Sequence, residues 1–237
     1  MKVVITGTSS GIGRAAAIKF LREGHSVYGI DIKEDSISDC PEFSQLKNNY
    51  RHFIADISDA SLLPQIDDVD ILVNNAGIQT EDREVPASLP KDIQVNLLGT
   101  INVTQKYAFQ KSIKSVLFNA SVSALTGDEF PSYVASKAGI IGYMKHAAIR
   151  LAKEYQASCN ALCFGGVLTS LNDSVVKDKL LWQKIMDVTP LKRWASAEEA
   201  AEWIYFMTVV NKACTGQAIE VSNGERNCQN LFVWPEE

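Results

Sequence analysis

Val3-Val4-Ile5-Thr6-Gly7-Thr8-Ser9-Ser10-Gly11-Ile12-Gly13 stands near the amino terminus of the 237-residue chain. Its first residues make a short apolar run of the kind a buried strand requires. From Ile12 to Arg22 apolar residues return at helical spacing, and Gly24 is suited to end that helix. Between strand and helix, the glycines let the backbone turn tightly and approach a diphosphate. The helix N-terminus adds unpaired N–H groups and a partial positive charge. Any tight strand-to-helix turn needs glycine, so the pattern alone is weak; its place directly after the first strand strengthens it.

The same alternation continues outward. Val27–Ile30, Phe53–Ala55, Ile71–Val73, Val116–Phe118, Cys159–Cys163 and Ala218–Val221 read as strands. Ile140–Tyr155, Leu180–Met186 and Ala197–Met207 read as helices. Residues 33–50 are polar, contain Pro41 and make a poor helix, and 61–66 leaves room only for a short one. Strands alternating with helices argue an α/β fold, a parallel sheet with helices on both faces. No repeat, linker or low-complexity tract interrupts it, so one domain over residues 1–237 is expected.

Composition excludes several function classes. Hydrophobic residues are 46% and charged residues 22% of the chain, with a net charge of -5. That balance carries no basic footprint for nucleic acid and no cationic patch for a membrane surface. The apolar runs are too short to span a bilayer, and the N-terminus has no signal-peptide pattern. Five cysteines without a Cys-x-x-Cys pair, and only three histidines, argue reduced thiols in a cytoplasmic protein and no metal site.

Asp31 closes the second strand at about twenty positions beyond the turn, where a carboxylate can bond a ribose 2′-hydroxyl. It would repel a 2′-phosphate, which favours NAD over NADP, although Lys33 lies near. Two Tyr/Lys pairs are spaced four apart, Tyr133–Lys137 and Tyr107–Lys111. On a helix either pair would share one face, so spacing cannot say which is chemical.

Taken together, these stretches resemble the short-chain dehydrogenase/reductase family over nearly the whole chain. Thr6-Gly7-x-x-x-Gly11-Ile12-Gly13 resembles its cofactor turn, which implies cofactor contacts from Gly7, Ser9, Ser10, Gly11, Ile12 and Gly13. Asp56 with Ile57 resembles the adenine-binding step, and Asn74-Asn75-Ala76-Gly77 the segment beside the adenosine. Asn96 resembles the asparagine of the catalytic tetrad. Pro190–Trp194, Glu198–Ala201 and Thr215–Gln217 resemble C-terminal segments of the family. The resemblance implies a three-layer, doubly wound Rossmann fold. It also implies a homodimer or homotetramer and a small alcohol or ketone as substrate.

Order along the chain then separates the two pairs. Tyr133 follows the Val116–Phe118 strand and the Ser121 loop, as the family's tyrosine does, whereas Tyr107 precedes that strand. The implied reaction is hydride transfer between NAD and a secondary alcohol. Tyr133 is the general acid/base, and Ser121, with Ser123 as the alternative, holds the reacting oxygen. Lys137 lowers the phenol pKa and binds the nicotinamide ribose, and Asn96 holds a relay water. Backbone at Val167 and the Thr169 hydroxyl are further implied cofactor contacts. A regulator that keeps the fold without catalysis is the competing reading.

Phe164 departs from the family's proline in Asn160–Gly165, and the intervals Asp31–Asp56 and Asp56–Asn74 are short, implying an open adenosine side. Residues 166–190 are expected to form the substrate loop, with Phe130, Leu168, Leu171 and Met186 as a candidate apolar pocket. Residues 225–237 form a tail in which Phe232 and Trp234 could cover the site or a neighbouring subunit.

Overall fold

The computed structural model describes residues 1–41, 43–84 and 88–228, so Phe232 and Trp234 lie outside the described residues. Its frame is a seven-stranded sheet in the order β3-β2-β1-β4-β5-β6-β9, with every pairing parallel. The strands are β1 (Lys2–Thr6), β2 (Ser26–Asp31), β3 (Tyr50–Ile54), β4 (Ile71–Asn74), β5 (Ser115–Ser121), β6 (Ser158–Phe164) and β9 (Ala218–Val221). A small parallel pair, β7 (Val167–Leu168) with β8 (Ala195–Ser196), lies beyond β6.

Alternation along the strands explains the two helical layers. Val3 and Ile5 of β1, Ile71 and Val73 of β4, and Leu162 and Phe164 of β6 enter one buried cluster. That cluster includes Ala16, Ala17 and Phe20 of α1 (Gly11–Arg22) and Ala200, Ala201 and Ile204 of α8 (Ala197–Tyr205). Val4, Leu72, Val116, Phe118 and Cys159 enter the opposite cluster. There they meet Val103 and Tyr107 of α3 (Thr100–Tyr107) and Ile140, Met144 and Leu151 at α5 (Pro131–Arg150) and its extension. Successive residues serve opposite faces, which is why these strands read as continuous apolar runs.

Several local differences from the sequence reading have plain causes. Strand β3 begins at Tyr50, because residues 50–54 pair with 27–31 of β2. Among the described residues, 33–49 hold only short turns and the four-residue α2 (Phe43–Leu46), and the 61–66 region forms a single 3-10 turn, Ala60–Leu62. Helix α5 starts at Pro131, where the fixed φ of proline suits the first helical position. The short α4 (Ser123–Thr126), α6 (Asp173–Lys177) and α7 (Lys179–Val188) sit near the carboxyl ends of the strands. Chain order reverses between β1 and β4, and in such open sheets the crevice forms outside the strand ends at that point. Among the described residues no helix is long and apolar enough to cross a membrane.

Candidate active site

The crevice at the β1/β4 reversal is a cavity of about 990 Å³. Its floor at one end is the glycine turn. Gly7 and Gly11 take left-handed φ values of +78° and +53°, which glycine adopts without a steric cost. Gly13 is excluded from any larger residue by packing, since a Cβ there would lie 2.0 Å from the Gly7 oxygen. No side chain caps the N-terminus of α1 and its first turn has no acid. An anionic group can therefore approach the helix N-terminus.

One amide network ties this turn to the strand ends. Asn75 N–H and Ala76 N–H both donate to Thr6 Oγ1 at 3.0 Å. The Asn75 side-chain amide donates to the Thr6 oxygen at 3.0 Å, and its own oxygen accepts from Asn119 Nδ2 at 2.8 Å. The Asn119 main-chain oxygen in turn accepts from Lys137 Nζ at 2.9 Å. The ends of β1, β4 and β5 and the buried ammonium are thus held in one hydrogen-bonded unit. The linking role of Asn119 had no sequence signal beyond its place near the end of β5.

Gly7, Ser10, Gly11, Ile12 and Asp31 line the cavity, as do Asp56, Ile57, Asn75, Ala76 and Gly77. Ser9 and Gly13 stand behind the lining. Ser9 N–H donates to Asp31 Oδ2 at 2.9 Å, and Lys33 N–H donates to Asp31 Oδ1 at 2.9 Å. The Asp31 carboxylate is therefore fixed on the turn, with Lys33 also on the cavity wall. Asp56 is held by Ser58, whose N–H and hydroxyl each donate to Oδ1 at 2.8 Å. Ile32 and Ile54, at the ends of β2 and β3, are exposed, consistent with the open adenosine side expected from the short intervals.

At the other end, Ser121, Tyr133 and Lys137 line the same cavity, with Val167 and Thr169 across from them. Thr169 reaches the turn itself, because a Cβ on Gly11 would lie 3.3 Å from its methyl group. The Ser121 side chain acts on the Tyr133 phenol in the sense that favours its ionised form. Lys137 is buried, and its Nζ lies 5.6 Å from the centre of the Tyr133 ring.

Burial pushes the Tyr133 phenol up to about 12; the Glu129 charge adds to this, while the Ser121 bond opposes it. Burial likewise brings Lys137 down to about 8 against the pull of Cys163, Asp92 and Glu129. In the protein alone burial dominates the phenol, and Lys137 is not among the groups that shift it. The Cys163 thiol, up at about 11 through burial, is the core residue expected.

Asn96 sits on a π-helical stretch, Ile93–Gly99, and does not line the cavity. Its Nδ2 donates to the Ile78 oxygen at 2.8 Å and to Ser136 Oγ at 3.0 Å, and its Oδ1 accepts from Ile78 N–H at 2.8 Å. Both amide hydrogens are committed, so that side chain cannot donate to a relay water.

The competing pair separates clearly. Tyr107 is wholly buried and donates to the Pro64 oxygen at 2.6 Å. Helix α3 ends at Tyr107, so Lys111 falls beyond it, on the surface. Four-residue spacing means nothing where the helix has stopped.

The expected apolar pocket needs correction. Of Phe130, Leu168, Leu171 and Met186, only Leu171 lines the cavity. Met186 is buried in packing and Leu168 faces solvent, whereas Ile185, Val188 and Trp194 form the wall. The phase of α7, which depends on where its Asp178 cap begins the helix, decided this. Glu129, Glu225 and Arg226 also reach the cavity, so the start of the tail lies at the site. Phe164, which stands in place of the family's proline, continues β6, and its oxygen accepts from Val122 N–H at 2.9 Å. Next to it Gly166 packs on Trp194, where a Cβ would lie 2.0 Å from the indole.

Residues 1–180 match the family described as short chain dehydrogenase. The chain is 30% identical to the 3-oxoacyl-[acyl-carrier-protein] reductase of Thermotoga maritima, over 93% of this chain and 96% of that protein. The corresponding reductase of Staphylococcus aureus is also 30% identical, with the same coverage. A crystal structure from Agrobacterium tumefaciens with bound NADP superposes with a TM-score of 0.86 at 26% identity, covering 94% of this chain and 95% of that one. The ligand-free aldohexose dehydrogenase of Thermoplasma acidophilum gives a TM-score of 0.79 at 25% identity, covering 99% and 97%.

Proposed function

Because this chain belongs to the short-chain dehydrogenase family, and is an oxidoreductase, we propose that it interconverts a secondary alcohol and a ketone, with NAD as the preferred cofactor. The observation that carries this reading is one cavity holding both an uncapped glycine turn and the Ser121–Tyr133–Lys137 cluster.

The residues present fit a dinucleotide. The turn at Gly7–Gly13 suits its diphosphate, and Asp31 its adenosine ribose. Asp56 and Ile57 would flank the adenine, while Val167 and Thr169 would hold the nicotinamide end. Bound in its oxidised form, NAD supplies a hydride acceptor and a positive charge. Tyr133 takes the alcohol proton, or returns it to the carbonyl oxygen in reduction. A phenol at about 12 is a weak base, so the nearby cationic ring and Lys137 must both favour the phenolate. Ser121 donates to the reacting oxygen and keeps it in line with Tyr133. Lys137, anchored on Asn119, has hydrogens left that would hold the nicotinamide ribose. Asn96, whose Oδ1 lies with Lys137 Nζ against Gly77, would hold the relay water.

Leu171, Ile185 and Val188 line the cavity together with Asp128 and Glu129. That pairing favours an uncharged alcohol with one apolar side over an anionic one. Asp31 favours NAD, while the NADP-bound relative and Lys33 on the cavity wall support NADP as the second reading. Trp203, Phe206 and Val210 form an exposed apolar stripe at helical spacing, supporting a homo-oligomer whose mass sedimentation measures. The deciding experiment is a screen of neutral cyclic and acyclic alcohols and ketones with NAD and with NADP, read by reduced-nicotinamide absorbance. Turnover of none of them with either cofactor would overturn the reading.

A further inference from the structure

Ser121 Oγ accepts two hydrogen bonds from one residue. Ser123 donates its N–H at 3.2 Å and its hydroxyl at 2.8 Å. The chain folds back so tightly because β5 ends at Ser121 and α4 opens at Ser123. A serine hydroxyl has one proton to donate and two lone pairs that accept. Ser123 occupies both lone pairs, so the Ser121 proton is left for Tyr133 or for a reacting oxygen. Glu129 lines the same cavity as Ser121, Ser123 and Gln79, and the Ser123 and Gln79 side chains act to lower the carboxyl pKa that burial raises. Glu129 holds φ at 126°, a value that a non-glycine residue keeps only when its surroundings impose it.

We propose that Ser123 is a positioning residue that makes the Ser121 hydroxyl a one-way donor toward the reacting oxygen, and that the charge on Glu129 governs this. The proposal rests on the role given to Ser121 above. A neutral Glu129 leaves the Ser123 proton on Ser121 and donates its own proton to Ser123, so all hydrogen bonds point toward the reacting oxygen. An ionised Glu129 draws the Ser123 proton to itself, and Ser121 is then free to turn back toward Ser123. Facing Glu129 are Asp128 on its own loop and Lys137 and Tyr133 on α5. Gln79 faces it from the segment after β4, and Glu225 from the segment after β9. Although the residue keeps contact with solvent, burial of its carboxyl holds the pKa above the usual carboxylate value. Ser121 donation is therefore strongest below that pKa and weakens as pH rises through it.

The test uses the protein supplied with reduced NAD and the fastest-reacting ketone of the screen. Ser123→Ala is expected to lower kcat by about three- to tenfold, the worth of one hydrogen bond, with unchanged KM and NAD affinity. Ser123→Cys, which keeps the volume with a weak donor, falls between. Glu129→Gln, a donor at every pH, removes the decline of kcat that wild type shows through the Glu129 pKa. In a Ser123→Ala background it changes nothing further. A second readout needs no turnover: tyrosinate absorbance, assigned by its loss in Tyr133→Phe, shifts to higher pH in Ser123→Ala. Unchanged kcat and unchanged tyrosinate titration in Ser123→Ala would overturn the positioning role. An equal Glu129→Gln effect with and without Ser123 would overturn the Glu129 control. Full turnover in Ser121→Ala would instead defeat the Ser121 assignment itself.

Discussion

Replacing Lys137 with methionine should stabilise the protein while abolishing its proposed chemistry. The ammonium is buried, and burial brings its pKa from 10.5 to about 8. At ~1.36 kcal/mol for each tenfold change in proton affinity, holding it charged costs about 3 kcal/mol of folding stability. Met fills nearly the same space without a charge. It leaves the Asn119 oxygen without its donor, at a cost of about 1 kcal/mol. The net gain at pH 7 is about 2 kcal/mol, or roughly 4–8 °C in Tm for a chain of this size. The sign with pH follows from the depressed value. Below about 8, lysine is protonated in both the folded and unfolded states, and the full penalty applies. Between about 8 and 10.5 the unfolded state binds more protons, so wild type gains stability relative to the variant. Paired calorimetric melts from pH 7 to 10 measure the difference, in which other titrating groups cancel. A variant that melts below wild type at pH 7, or a gap that stays constant across that range, refutes the reasoning.

Tyr133→Phe should lower kcat by about 10²–10⁴-fold with NAD affinity nearly intact, judged by steady-state rates and cofactor fluorescence. Tyr107→Phe should leave kcat unchanged while lowering stability by about 1–2 kcal/mol, because its buried bond to Pro64 is lost; denaturant titration reads this. Asp31→Ala should weaken NAD and narrow the gap to NADP in paired binding titrations, and tighter wild-type binding of NADP would reverse the cofactor assignment. Gly166→Ala would place a Cβ 2.0 Å from the Trp194 indole and should cost about 1–3 kcal/mol in thermal melts, with KM raised as the wall shifts.

How much of the site was legible depended on the kind of constraint. Gly7, Gly11 and Gly13 were readable because left-handed φ and a 2.0 Å approach admit no other residue type. Tyr133 and Lys137 were readable from their order after β5, and the structure brings both to one cavity. The partners of the Asn96 side chain, Ile78 and Ser136, were not legible because they are 18 and 40 residues away. Glu129 and Glu225 carried no periodic or motif signal, since loops reach a cavity by their path through space.

By itself the sequence determined the parallel α/β frame, the dinucleotide turn and the family's chemical residues, because apolar periodicity and glycine conformation are local properties. Tertiary structure alone decided where α3 stops short of Lys111, which face of α7 forms the cavity wall and how Ser123 holds Ser121. Those choices depend on helix ends, helix phase and burial, all of which are set only when distant segments pack together.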